Sequence, residues 1–115
     1  MKDQETWDDR YDLMNKAYLH YGVVTVTANY AAGVESPACV ILVNAPVTVT
    51  LPLAAQSKGK VFWIKNISAF AVTIAPTGTD LIDGANVNQS LPDQFDVMCL
   101  VSDGTAWWIL SFTNL

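Results

Sequence analysis

From Val23 to Phe112 the chain is cut into eight short runs rich in β-branched and aromatic residues, recurring about every ten residues with turn-forming residues between them. The runs are 23–28, 38–43, 47–51, 60–67, 71–75, 87–91, 95–101 and 106–112. Such residues fit a pleated, half-buried surface, and runs of this length are too short for helices of ordinary size. Gly33, Pro46, Gly59, Pro76 with Gly78, Asp83-Gly84, Pro92-Asp93 and Asp103-Gly104 separate them. Asp-Gly is the pair best suited to the positive φ angles of a tight reversal. Ser102-Asp103-Gly104-Thr105 therefore predicts a two-residue hairpin loop joining the last two strands antiparallel. With no helical periodicity between the runs, the expected fold is all-β: a small antiparallel β-sandwich or barrel, jelly-roll-like, over 23–115.

Residues 1–22 are a different kind of sequence. They hold eight of the chain's seventeen charges: Lys2, Arg10 and Lys16 against Asp3, Glu5, Asp8, Asp9 and Asp12. Thr6-Trp7-Asp8-Asp9 fits a helix start in which the Thr hydroxyl accepts from an orphan N–H, and Gly22 supplies a stop. Between these signals Trp7, Tyr11, Met14, Tyr18 and Tyr21 recur at spacings of four, three, four and three, which lines them along one helical face. A helix of about 15 residues is marginal alone in water, so the stripe needs a surface to persist. The surface is either the chain's own domain or a neighbouring subunit or particle; without one, the arm is extended or unstructured.

The expected strands raise the same question of cover. In 106–112, Trp107 and Ile109 alternate with Trp108, Leu110 and Phe112, and in 60–67, Phe62 and Ile64 oppose Val61 and Trp63, so both faces are apolar. One face fits the core and the other expects a neighbour. Trp63, Trp107 and Trp108 are accordingly the candidate subunit interface, with no sign of which of them lies there. The chain's 115 residues are 51% hydrophobic and only 15% charged, against about 25% charged for an average soluble domain. Burial between subunits is the simplest way for so small a domain to hide that surface.

Other classes find little support. A net charge of −5 disfavours nucleic acid and anionic membrane as partners. The longest apolar run, 38–43, is far short of the roughly 20 residues that span a bilayer, and the N-terminus is acidic where a secretory signal is basic. Cys39 and Cys99 sit within apolar runs as small hydrophobes, with a disulfide between them left open. His20 is the only histidine and there is no Cys-x-x-Cys, so neither a zinc site nor a nucleophilic triad is expected. Asp80 and Asp83 flank Leu81-Ile82 before Gly84. As a catalytic carboxylate pair or a calcium loop they lack the rest of the pattern, and a turn is the simpler reading. Lys58, Lys60 and Lys65 fit a solvated strand edge. No catalytic residue, cofactor or metal is expected.

The order of motifs is more informative than any one of them: Val-Thr-Val-Thr-Leu-Pro at 47–52, Gly59, Ile64-Lys65-Asn66, Val72-Thr73-Ile74, Ile82-Asp83-Gly84, Val101-Ser102-Asp103-Gly104 and Trp107-Trp108. This order resembles the small β-domains of tailed-bacteriophage virion proteins, both head decoration (cement) proteins and tail-fibre segments. The resemblance implies a β-sandwich-like fold, commonly a homotrimer, displayed on a virion after synthesis in the host cytoplasm. A short arm with one domain suits a decoration protein that binds the major capsid protein on the outer head surface. Alternatives are a tail or fibre-tip module that binds a host glycan, and a non-viral carbohydrate-binding module.

Overall fold

The computed structural model describes residues 22–33 and 38–114, so the aromatic stripe Trp7, Tyr11, Met14, Tyr18 and Tyr21 lies outside the described residues. Among the described residues there are nine strands: β1 (Gly22–Val26), β2 (Tyr30–Ala31), β3 (Ala38–Val43), β4 (Thr48–Thr50), β5 (Val61–Asn66), β6 (Val72–Ala75), β7 (Gln89–Leu91), β8 (Val97–Ser102) and β9 (Trp107–Thr113). The only helical element among the described residues is a single 3-10 turn, Ala54–Gln56. The fold is all-β, as the spacing of apolar runs predicts, and each of the eight runs contains a strand.

The strands form two open sheets, one ordered β1-β3-β5-β8-β9 and the other β2-β4-β6-β7. The expected antiparallel architecture is corrected here, because both sheets are mixed. β1–β3, β3–β5, β2–β4 and β4–β6 pair parallel, while β5–β8, β6–β7 and β8–β9 pair antiparallel. The reason lies in the connections. From β1 to β6 each turn carries the chain to the opposite sheet, so each strand is laid beside the one before last and runs in the same sense. Asn29 and Thr48 tie two such crossings together, the Thr48 N–H donating to Asn29 Oδ1 at 3.0 Å. Antiparallel pairing begins only where the chain reverses within a sheet.

Alternation along the strands builds the core. In β5, Phe62, Ile64 and Asn66 are buried and Trp63 is exposed; in β6, Val72 and Ile74 are buried. Residues from both sheets form one buried cluster, Ile41, Val43, Phe62, Ile64, Met98, Leu100 and Trp107 from the first sheet meeting Val49, Val72, Ile74 and Leu91 from the second. Each such side chain contributes about 1.5–3 kcal/mol on burial. Asn66 is the polar member of this interior. Its side-chain amide donates to the carbonyls of Phe70 (2.7 Å), Leu91 (3.0 Å) and Asp93 (3.3 Å), while Oδ1 accepts from Ser68 N and Oγ, both at 2.8 Å. Because Asn66 ends β5 and Leu91 ends β7, this side chain joins the two sheets.

The two-residue hairpin loop expected at Asp103-Gly104 is not formed there; the tight reversal falls at Asp83-Gly84 instead. Ile82 and Ala85 bond reciprocally across Asp83-Gly84, whose φ angles are 51° and 86°, so the two-residue reversal with both φ positive is here. Between β8 and β9 the register pairs Ser102 with Trp107, leaving a four-residue loop. Asp103 organises that loop by accepting from Thr105 N (2.8 Å) and Ala106 N (2.9 Å), the local bonding that makes Asp a turn residue.

Candidate assembly surface

Register fixes which residues share the outer face of the five-stranded sheet, since directly paired residues point the same way. One row runs Val23, Val40, Trp63, Cys99 and Ser111, and a second runs Val61, Val101 and Trp108. A third holds Thr25, Leu42, Lys65, Val97 and Thr113. The face is apolar at all but Thr25, Lys65, Ser111 and Thr113. By the same pairing, the outer face of the four-stranded sheet carries Ala31, Thr48, Thr50, Thr73, Ala75 and Ser90, nothing larger than threonine. The two exteriors of one domain thus differ in kind: one is an ordinary solvated surface and the other has the composition of a contact.

The three candidate interface tryptophans separate cleanly. Trp107 is fully buried, its ring 5.7 Å from that of Phe62 and its Nε1–H donating to the Pro52 carbonyl at 3.0 Å. It belongs to the domain's own core and leaves the set of interface candidates. Trp63 and Trp108 are 41% and 43% exposed on the outer face. Trp108 is held in place by its Nε1–H, which donates to Asp103 Oδ2 at 2.8 Å. The N–H donors of Ala106, Trp108 and Thr105 all favour the ionised carboxylate, so Asp103 sits below the usual carboxylate range.

The sign of the resulting pH effect follows. A carboxyl with a lowered folded pKa contributes stability that is full above its unfolded value of about 3.9 and is lost as pH falls through the folded value. Asp103→Asn is therefore expected to be less stable than the parent at pH 7, with the gap closing below about pH 4. Thermal melts of both chains across that range check it.

Two further apolar groups lie at the β9 edge: Leu110 is 60% exposed, and Phe112, paired with Met98 and so on the inner side of the sheet, is 46% exposed. Leu110 is the extra residue where the β8–β9 register shifts between Cys99 and Leu100. The edge is closed off over its first residues: Trp107 N donates to Leu81 O, Asp83 N to Trp107 O, and Ile109 N to Asp83 Oδ1 at 2.8 Å. Asp80 likewise serves the backbone, with Oδ2 accepting from Ala54 N at 2.8 Å. The Asp80–Asp83 pair thus has a structural task at each member. Among the described residues no three His, Cys, Asp or Glu side chains converge as metal ligands.

At the margin of this face, where β3 and β5 begin, Cys39, Gly59, Lys60, Val61 and Trp63 line a depression of about 300 Å³. The cysteines are not joined in a disulfide; Cys99 is buried and desolvation raises its thiol pKa. The sequence pattern points to Trp63, Trp107 and Trp108 and gives no separate place to Val40, Leu42, Val97 and Val101, which the register adds to the outer face. Their signal was present, since 38–43 and 97–101 are apolar without alternation, the mark of a strand covered on both sides. A scan against protein-family models gives no match to the chain, and a search of curated proteins gives none.

Proposed function

We propose that this chain is a structural protein of a bacteriophage virion, a capsid decoration protein whose two sheets stack as a β-sandwich and whose outer apolar face binds neighbouring protein subunits. The observation that carries the reading is the contrast between the two exteriors. A Thr- and Ser-rich face needs only water, whereas a face built on Trp63, Trp108, Val40, Val61 and Val101 gains from being covered, and exposed aromatic anchors are the usual centres of protein interfaces. The motif order from 47 to 110, which resembles phage decoration and fibre domains, supports a virion as the place of assembly, with the major capsid protein and copies of the chain itself in a homotrimer as partners.

Virions imaged with a label on this protein are expected to show regular density over the head. Density confined to the tail would overturn decoration in favour of a fibre module. The depression beside Trp63 favours one second reading, an indole platform for a host sugar. Binding of the purified protein to a glycan array would select it.

A further inference from the structure

We propose that the open half of β9 is the contact for a second copy of this chain, the two β9 strands pairing antiparallel about Phe112 to make one continuous sheet. The inference goes beyond the decoration reading and does not rest on it.

β9 is the edge strand beside β8, and its two halves differ. Over the first half the backbone groups that point away from β8 have partners: Trp107 N–H donates to Leu81 O, Trp107 O accepts from Asp83 N–H, and Ile109 N–H donates to Asp83 Oδ1. Outward groups alternate along an antiparallel strand, so after Trp107 and Ile109 the next would belong to Ser111. Leu110, the extra residue of the register shift, moves the alternation on by one. The outward N–H and C=O are therefore those of Phe112, and among the described residues no backbone group bonds to them from that side.

The side chains at this edge identify what fits it. Edge strands are commonly guarded by charge or proline, but 104–115 contains no Asp, Glu, Lys, Arg or Pro. In a chain of net charge −5, such a stretch lets two copies meet without like charges opposed. A twofold contact is self-complementary, so pairing centred on Phe112 sets each ring opposite its twin and Ser111 opposite Thr113 of the second copy. Phe112 is 46% exposed, and the twin ring covers that surface; aromatic pairs and Ser–Thr pairs are both favourable across strands. A strand of another sequence would make the same backbone bonds without this match. Because the paired strands share one sheet, Trp63 and Trp108 of both copies lie on the same outer side, which doubles the surface offered to a partner. Being twofold, the contact joins trimers pairwise where a trimer forms through another surface.

Light scattering on the full-length chain, with charge placed at the axis, tests this. Phe112→Lys and Phe112→Asp each set like charges against one another, and each alone is expected to show half the assembled mass of the parent. Mixed in equal amounts, the two are expected to restore it. Parent and single variants of equal mass at every concentration up to the solubility limit would overturn the proposal, as would a mixture that stays at half mass. If either variant unfolds, hydrogen exchange of the parent decides: the Phe112 amide is expected to slow about tenfold or more as concentration rises through the range of assembly. An amide exchanging at one rate throughout would overturn it. Neither experiment involves a particle, so failure here leaves the head-density result for the decoration reading untouched, and the converse holds.

Discussion

Trp107→Ala is expected to lower the stability of the domain by about 3–5 kcal/mol, the range for removing a fully buried large aromatic. Its neighbour gives the contrast. Trp108→Ala removes a half-exposed ring and one hydrogen bond to Asp103, so the expected loss is only about 1 kcal/mol. The difference arises because Trp107 fills space between the sheets against Phe62 and satisfies the Pro52 carbonyl, whereas the Trp108 ring faces outward. Urea unfolding of the two variants beside the parent measures both. Equal losses would mean that the two indoles share the core, and the distinction between inner and outer faces would fall with it.

Asn66→Ala is expected to be nearly as damaging although it deletes no apolar surface. The Leu91 and Asp93 carbonyls lose a donor that comes from the other sheet, and the Ser68 N–H loses its acceptor. Stranding a buried polar group costs about 1–3 kcal/mol, so a total of about 2–4 kcal/mol is reasonable. For a domain of this size that lowers Tm by roughly 8–32 °C, at about 4–8 °C per kcal/mol. Ser68→Ala, which leaves the Asn66 amide on Leu91 and Asp93, should cost clearly less. A thermal melt of Asn66→Ala within a few degrees of the parent would show that solvent replaces the network.

How far the fold could be read from the sequence depended on the range of the interaction concerned. Strand positions follow local alternation and turn residues, and 38–43 coincides with β3 residue for residue. Strand partners do not. Parallel pairing of β1 with β3 and β3 with β5 depends on successive turns crossing between sheets, and nothing in the residues near Asn29 or Asn44 states which sheet comes next. β2, two residues long, carries no periodic signal at all. The two Asp-Gly turns show how a motif can be right in type and wrong in detail: both reverse the chain, but the tight form falls at Asp83-Gly84 because Ile82 and Ala85 pair directly, while Asp103 spends its carboxylate on a longer loop.

The candidate surface was legible in its most conspicuous members. Trp63 and Trp108 stand out as large aromatics on strands apolar on both sides, and Trp107 is indistinguishable from them until strand parity is known. Parity follows from register, and register from pairing between β8 and β9. Val40, Leu42, Val97 and Val101 acquire meaning only when those strands lie side by side, which turns separate valines into one face.

The most direct test of an assembly role for that face is the occupancy of purified virions by the full-length chain carrying Trp63→Ser and Trp108→Ser together, compared with the parent at equal concentration and equal thermal stability. Interface aromatics are worth about 2 kcal/mol or more each, so the double variant is expected to lose on the order of a thousandfold in affinity and leave particles largely bare. A double variant that decorates particles as fully as the parent would contradict the account, and would place the contact on another surface of the domain.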